Sequence, residues 1–214
     1  MQKPARKGPA SGKSTCPDCL LRQLCPGYTD RDIDRLAGAI VQHRRTLERG
    51  AALYRAGDVF STVYVVHTGA LKGYEVNAAG RERISAFFLP GELVGLDGFH
   101  KGVYTCHTAA LVDATVCELD LERIEQQSDK QWEFVRVMSK VVSDQKRRLA
   151  VGRLEPQARV LELLRDIAAR LTLDAETLRA SDLPMSREDL ASYADVDAGS
   201  VDQVFEQLGR QRTD

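Results

Sequence analysis

The spacing of apolar positions changes three times along the chain. In "TDRDIDRLAGAIVQHRR", residues 29–45, Ile33, Leu36, Ala37 and Ile40 recur at i, i+3, i+4 and i+7, which predicts a helix over 29–45. From about 46 to 125 the helical period is lost. Short β-favouring runs, "VYVV", "LKGYEV", "RISAFFL" and "TAALVDATVCEL", lie between Gly50, Gly57, Gly69, Gly80, Gly91 and Gly95. Short strands with turn signals at near-even spacing predict an antiparallel barrel or sandwich. The helical period then returns in "DKQWEFVRVMSKVVSDQKRRLAVG". There Val135, Met138, Val142, Gln145 and Leu149 alternate by three and four, an a/d seam that marks a helix pairing with another helix. A single amphipathic helix lying on its own core is the plainer reading of the same spacing.

Beyond the seam, Pro156 in "RLEPQARVLELLRDIAARL" marks a helix start, since proline suits the first turn. In "LPMSREDLASYADVDAGSVDQVFEQL" the pair Ser186 and Asp189 forms a capping box that opens a helix with Leu190 and Ala191 inward. A turn at Asp195-Val196-Asp197 leads to a second helix with Val201, Val204 and Phe205 as its apolar face. Two short helices across so short a turn match a helix-turn-helix, though an ordinary helical hairpin has the same spacing.

Composition narrows the partners. Of the 214 residues, 43% are apolar and 29% charged, with a formal net charge of −1, as in a soluble globular protein without the basic excess of one wrapped in nucleic acid. Contact with nucleic acid would have to come from a local patch. Residues 146–170 carry seven basic residues (Lys146, Arg147, Arg148, Arg153, Arg159, Arg165, Arg170) against Glu155, Glu162 and Asp166. A solvated helix face is the usual meaning of such a run, and contact with a DNA backbone is the sharper one. Residues 181–214 are the reverse, with eight acidic residues against Arg187, Arg210 and Arg212.

Residues 1–15 are rich in Pro, Gly, Ser and Lys and predict disorder. Their basic residues precede no apolar stretch, so they do not read as a signal peptide, and no run of 18 apolar residues predicts a membrane span. The expected location is the cytoplasm, where thiols stay reduced. Three of the five cysteines fall in "STCPDCLLRQLCPGY", at Cys16, Cys19 and Cys25. Such a cluster serves a disulfide, a metal or a reactive thiol, and a reducing compartment favours the metal.

Taken in order, "CPDCLLRQLC", "LYRAGDVFSTVYVVHTGALKGYEV", "RISAFFLPGELVGLDGF" and "ATVCEL" resemble the FNR branch of the CRP/FNR transcription regulators, over about Cys16 to Arg210. The resemblance implies an α+β fold: a cyclic-nucleotide-binding-like antiparallel β-roll, a long dimerisation helix and a C-terminal helix-turn-helix. The corresponding segments are 1–28 (tail and cysteine cluster), 29–125 (roll), 126–152 (dimer helix) and 153–214 (helix-turn-helix). The family's wing is expected to be missing, because the chain stops at "GRQRTD".

The resemblance further implies an oxygen-labile [4Fe–4S] cluster on Cys16, Cys19, Cys25 and one cysteine of the roll, and four thiolates are the usual ligand set for such a cluster. The "VCEL" match selects Cys117 as the fourth ligand over Cys106, which reads as a strand cysteine. A structural zinc on the same four thiolates is the competing reading, and a lone dithiol at Cys16 and Cys19 a weaker one. Four scattered histidines give no pattern for haem. Relatives that bind cyclic nucleotides hold the phosphate with an arginine and a neighbouring serine or threonine. In "GVYTCHTAAL" Tyr104 stands at the arginine's place, so no cyclic nucleotide is expected.

The implied partners are DNA, a second copy of the chain and RNA polymerase, and nothing in the chain points to catalysis. On the reading helix, however, the family's glutamate, serine and arginine are replaced by Gly199, Asp202 and Gln203, and the turn glycine by Asp195. Ser186, Arg187, Ser200 and Gln203 remain as candidate DNA contacts. Weak DNA binding is therefore expected. Three functions stay open: a working oxygen-responsive regulator, a sensor that pairs with an intact relative, and a metal protein with no regulatory role.

Overall fold

The structure is a computed structural model, and it describes residues 41–122, 154–175 and 178–210. The cysteines Cys16, Cys19 and Cys25 and the seam residues Val135, Met138, Val142, Gln145 and Leu149 lie outside the described residues.

Eight antiparallel strands form the roll: β1 (Val41–Leu47), β2 (Ala52–Tyr54), β3 (Tyr64–Thr68), β4 (Leu71–Val76), β5 (Glu82–Phe88), β6 (Leu93–Val94), β7 (His107–Ala110) and β8 (Ala114–Leu119). They make two four-stranded sheets, β1-β8-β3-β6 and β2-β7-β4-β5. Side chains from both sheets meet in one core that includes Leu53, Tyr54, Tyr64, Val66, Leu71, Val94, Ala110 and Val116. Glycine is required at the β3–β4 turn, where Gly69 has φ of +79° and an added Cβ would lie 2.4 Å from the carbonyl oxygen of Asp113.

The helix expected over 29–45 does not extend through 41–45, which belong to β1. The apolar stripe of that helix ends at Ile40 and Val41, and "QHRR" offers it nothing further to bury. Pairing with β8 from Val41↔Leu119 to Leu47↔Ala114 satisfies the backbone instead. β1 is an edge of its sheet, and its exposed His43, Arg44 and Arg45 are the kind of charged residues that discourage edge-to-edge association.

Among the described residues three α-helices follow: α1 (Pro156–Arg170), α2 (Arg187–Ala194) and α3 (Ala198–Arg210). Proline occupies the first turn of α1, as its position in the sequence predicts. The capping box is formed: the Asp189 N–H donates to the Ser186 hydroxyl at 3.1 Å, and the Ser186 N–H donates to the Asp189 carboxylate at 3.2 Å. Asp195 ends α2 in the left-handed conformation, φ 53° and ψ 54°. A side chain is tolerated there at some cost, so Asp195→Gly is expected to stabilise the protein by roughly 0.5 kcal/mol, after the larger entropy of glycine in the unfolded chain is deducted. Thermal denaturation checks this, and a lowered melting temperature would contradict it.

The helices do not stand apart from the roll. Val160, Leu163, Leu164 and Ile167 of α1, Leu190 and Ala191 of α2, and Val201, Val204 and Leu208 of α3 share one core with Ala70, Ile84, Phe87, Leu89 and Leu111 of the roll. The Ile84 N–H of β5 donates to the Ser192 hydroxyl of α2 at 3.0 Å, so a helix covers what would otherwise be a sheet edge.

Candidate functional site

Two places collect the residues singled out in the sequence: the interior and outer face of the roll, and the exposed face of α2 and α3. Inside the roll, Tyr104 is 2% exposed and its ring stacks on Tyr54 at 3.8 Å between centroids. Its hydroxyl donates to the carbonyl oxygen of Thr62 at 2.7 Å, and the Phe60 ring meets it edge-on at 5.4 Å. Burial raises the pKa of Tyr54 far above the ordinary phenol value, and raises that of Tyr64 to about 12. Tyr104 thus belongs to an aromatic stack in the core between the sheets.

The two roll cysteines differ in setting. Cys106 faces the interior, where its thiol lies 3.5 Å from the Asp97 carboxylate and 3.9 Å from the Thr108 hydroxyl. Burial, and then the Asp97 charge, push its pKa up to about 11, which holds it in the thiol form. Cys117 is 6% exposed on β8, paired across the sheet with Arg44 on one side and Val65 on the other. Its neighbours Val116 and Ala114 face the roll core, so alternation puts Cys117 on the outer face of the sheet. Among the described residues no group of three or more His, Cys, Asp or Glu side chains is placed to hold a metal.

On the helix pair, the candidate DNA contacts are engaged with other side chains. Arg187, the first residue of α2, pairs with Asp202 of α3, both about half exposed. Gln203 accepts a 2.7 Å hydrogen bond from the side-chain amide of Gln157 on α1. Asp197 caps α3: its carboxylate accepts from the Ser200 N–H and the Ser200 hydroxyl, each at 2.9 Å. Hydrogen bonds from Ser200 also hold the Asp197 carboxyl below the usual carboxylate range. Gly199 is exposed and presents no side chain.

Two of the basic residues of α1, Arg165 and Arg170, are likewise engaged within the protein. Arg165 faces Glu162 at 2.7 Å, and Arg170 reaches the roll. Its guanidinium donates to both carboxylate oxygens of Glu92, at 2.8 and 2.6 Å, to the Phe87 carbonyl at 2.7 Å and to Asp166 at 3.0 Å. A second tie joins Lys72 of β4 to Glu82 at 2.7 Å and to Asp189 of α2 at 3.1 Å. Glu92, Asp97 and Lys72 carry no sequence signal, and Arg170 reads in the sequence as part of a basic run on a solvated face or against a DNA backbone. Glu92 and Arg170 are not marked locally because they are 78 positions apart, and Asp97 and Lys72 meet their partners only across a turn or hairpin.

Comparison with known proteins bears on this arrangement. A cyclic nucleotide-binding domain model matches residues 44–131. The transcriptional activator protein FnrA of Stutzerimonas stutzeri is 33% identical over 92% of this chain and 83% of its own length. The chain belongs to the FNR branch of the CRP/FNR family. The transcriptional activator protein anr of Pseudomonas aeruginosa is 34% identical over 89% of this chain and 80% of its own. Among solved structures, FixK2 of Bradyrhizobium japonicum shares the fold, with a TM-score of 0.65 at 24% identity over 79% of this chain and 85% of that one. The antiparallel roll is therefore the cyclic nucleotide-binding fold of the CRP/FNR family, here with Tyr104 and its aromatic neighbours packed between the sheets. No helix among the described residues is long and apolar enough to cross a membrane.

Proposed function

We propose that this FNR-branch protein is a cytoplasmic regulator of transcription that senses oxygen through a [4Fe–4S] cluster on Cys16, Cys19, Cys25 and Cys117. The observation that carries the reading is the aromatic stack inside the roll. With Tyr104 buried and stacked on Tyr54, the roll supports sensing by a separate group rather than by a cyclic nucleotide. The two roll cysteines divide in the same sense. Cys106 lies inside beside Asp97 and Thr108, whereas Cys117 stands on the outer face of the sheet, which suits a ligand shared with a distant segment. In this reading the protein is a homodimer through Val135, Met138, Val142, Gln145 and Leu149. It presents α2 and α3 to DNA, and RNA polymerase is a further partner.

A second reading is favoured by the pairs Arg187–Asp202 and Gln157–Gln203, which occupy side chains that would otherwise reach DNA. In it the protein has lost independent DNA binding and acts by pairing with an intact relative.

A gel-shift series without oxygen, on a palindromic FNR-type site, separates the two. The unmodified protein is expected to show little preference for the site over random duplex. Each missing bidentate contact removes roughly 1–3 kcal/mol of discrimination. The triple variant Gly199→Glu, Asp202→Ser, Gln203→Arg also frees Arg187, and is expected to gain at least about tenfold in preference. Tight, selective binding by the unmodified protein at physiological salt would defeat the expectation of weak reading. A homodimer in which even the triple variant ignores DNA would favour the second reading.

A further inference from the structure

Gln203 stands on the exposed side of α3, while Val201 and Val204 on either side of it are buried. Its side chain is oriented by another helix. The Gln157 side-chain amide donates to Gln203 Oε1 at 2.7 Å, across 46 positions of sequence. The two meet because α1 and α3 share one core, with Val160 and Leu164 on α1 and Val201 and Val204 on α3. The sense of the bond agrees with its surroundings. Gln157 follows Pro156 at the N-terminus of α1, where unpaired backbone N–H groups give the helix its positive end. That end favours the carbonyl oxygen of an incoming amide over its NH2 group.

A glutamine amide has one acceptor oxygen and one NH2 donor group. Bidentate reading of adenine uses both: the oxygen accepts from N6 and the nitrogen donates to N7. With Oε1 turned to Gln157, Gln203 keeps its Nε2 donors for an outside partner. The neighbouring acceptor is engaged in the same way, since the Asp202 carboxylate pairs with Arg187. A donor meets two acceptors, O6 and N7, on guanine, whereas on adenine the N6 donor stands beside N7 and repels it.

We propose that Gln157 is a positioning residue that sets the base preference of α3: it holds Gln203 as a donor, so that the base Gln203 meets is read as guanine rather than adenine. The inference rests on the reading of α2 and α3 as the DNA-facing pair. It adds to that reading which end of the Gln203 amide does the recognising and which residue decides it.

The test uses the full chain, purified without oxygen, with Gly199→Glu and Asp202→Ser to strengthen binding while Gln203 is kept. A palindromic FNR-type site is varied through all four base pairs at each half-site position, and the duplexes compete in gel shifts at one salt concentration. At one position guanine is expected to exceed adenine by roughly threefold or more, and Gln203→Ala should remove that preference. Gln157→Glu offers only acceptors, so it draws the Gln203 nitrogen inward and turns the oxygen out. The preference should then pass to the bases with an amino donor, adenine and cytosine. The added charge weakens binding to every duplex alike, so the ratio between bases is the readout. A guanine preference that Gln203→Ala removes but Gln157→Glu and Gln157→Ala leave unchanged would overturn the proposal. Failure to bind any duplex would defeat the DNA-facing reading and the base preference with it. A melting cycle in the parent chain tells that failure from failure of the contact. The losses from Gln157→Ala and Gln203→Ala should fall short of additivity by about 1–2 °C. Strict additivity would overturn the proposal whatever the DNA result.

Discussion

Substituting Cys117→Ser is expected to abolish the brown colour and the iron of anaerobically purified protein, whereas Cys106→Ser leaves both. The parent should carry about four irons per chain, the content of one [4Fe–4S] cluster on four thiolates. Iron ligation needs a deprotonated sulfur at a position another segment can reach. Cys106 fails the second requirement: it lies inside the roll, with its thiol 3.5 Å from the Asp97 carboxylate. Cys117 is buried as well, but on the outer face of β8. Iron and acid-labile sulfide assays with visible absorption read the outcome directly. A colourless parent holding one zinc would refute the cluster, and loss of colour at Cys106 but not Cys117 would exchange the two roles. Cys106 also serves as the control, because serine retains its hydrogen bonding to Asp97 and Thr108 and so tests only the ligand question.

The roll was legible where strands bury alternate residues between turn glycines. "LKGYEV" is β4 residue for residue, and "RISAFFL" covers β5 to within one residue at each end. Strands β2 and β6 were not, since three and two residues are too few to show a period. β1 was misread as the end of a helix because its polar edge residues carry no strand signal, and only the partner β8 decides their conformation. The helix pair was legible to the level of its capping box and its left-handed Asp195, because both depend on residues within three or four positions of each other. The engagement of its candidate DNA contacts was not. Asp202 meets Arg187, fifteen positions away across the turn, and nothing near it in the sequence marks that partner. Asp97 shows the same limit: a turn residue in the sequence, it becomes the acceptor for five donors only when β7 is brought beside it.

The union of roll and helices was the least visible feature, and Arg170→Ala is expected to weaken it more than any other single charge change. Arg170 is 78 positions from Glu92, and its side chain is only 15% exposed. Burial opposes its charge, but hydrogen bonds and attraction from Glu92 and Asp166 outweigh this and raise its pKa further, so the guanidinium is permanently charged. Truncation leaves the Glu92 carboxylate without its bidentate partner and the Phe87 carbonyl without a donor. A buried pair broken on one side costs about 3–5 kcal/mol, and the partial exposure of Glu92 reduces this to about 2–4 kcal/mol. For a chain of this size the melting temperature should fall by roughly 5–15 °C. Arg170→Lys keeps the charge but not the fork, and should recover less than half of the loss. Arg165→Ala, which removes a pair between two largely exposed groups, should change stability by no more than about 0.5 kcal/mol. The consequence for regulation follows from the same contact. If the pair fixes α1 on the roll, hydrogen exchange in Arg170→Ala should rise in β5 and α2 together, because Ile84, Phe87 and Leu190 share one core with α1. A variant that melts like the parent, or that loosens the helices while β5 keeps its protection, would show that roll and helix pair move as separate bodies.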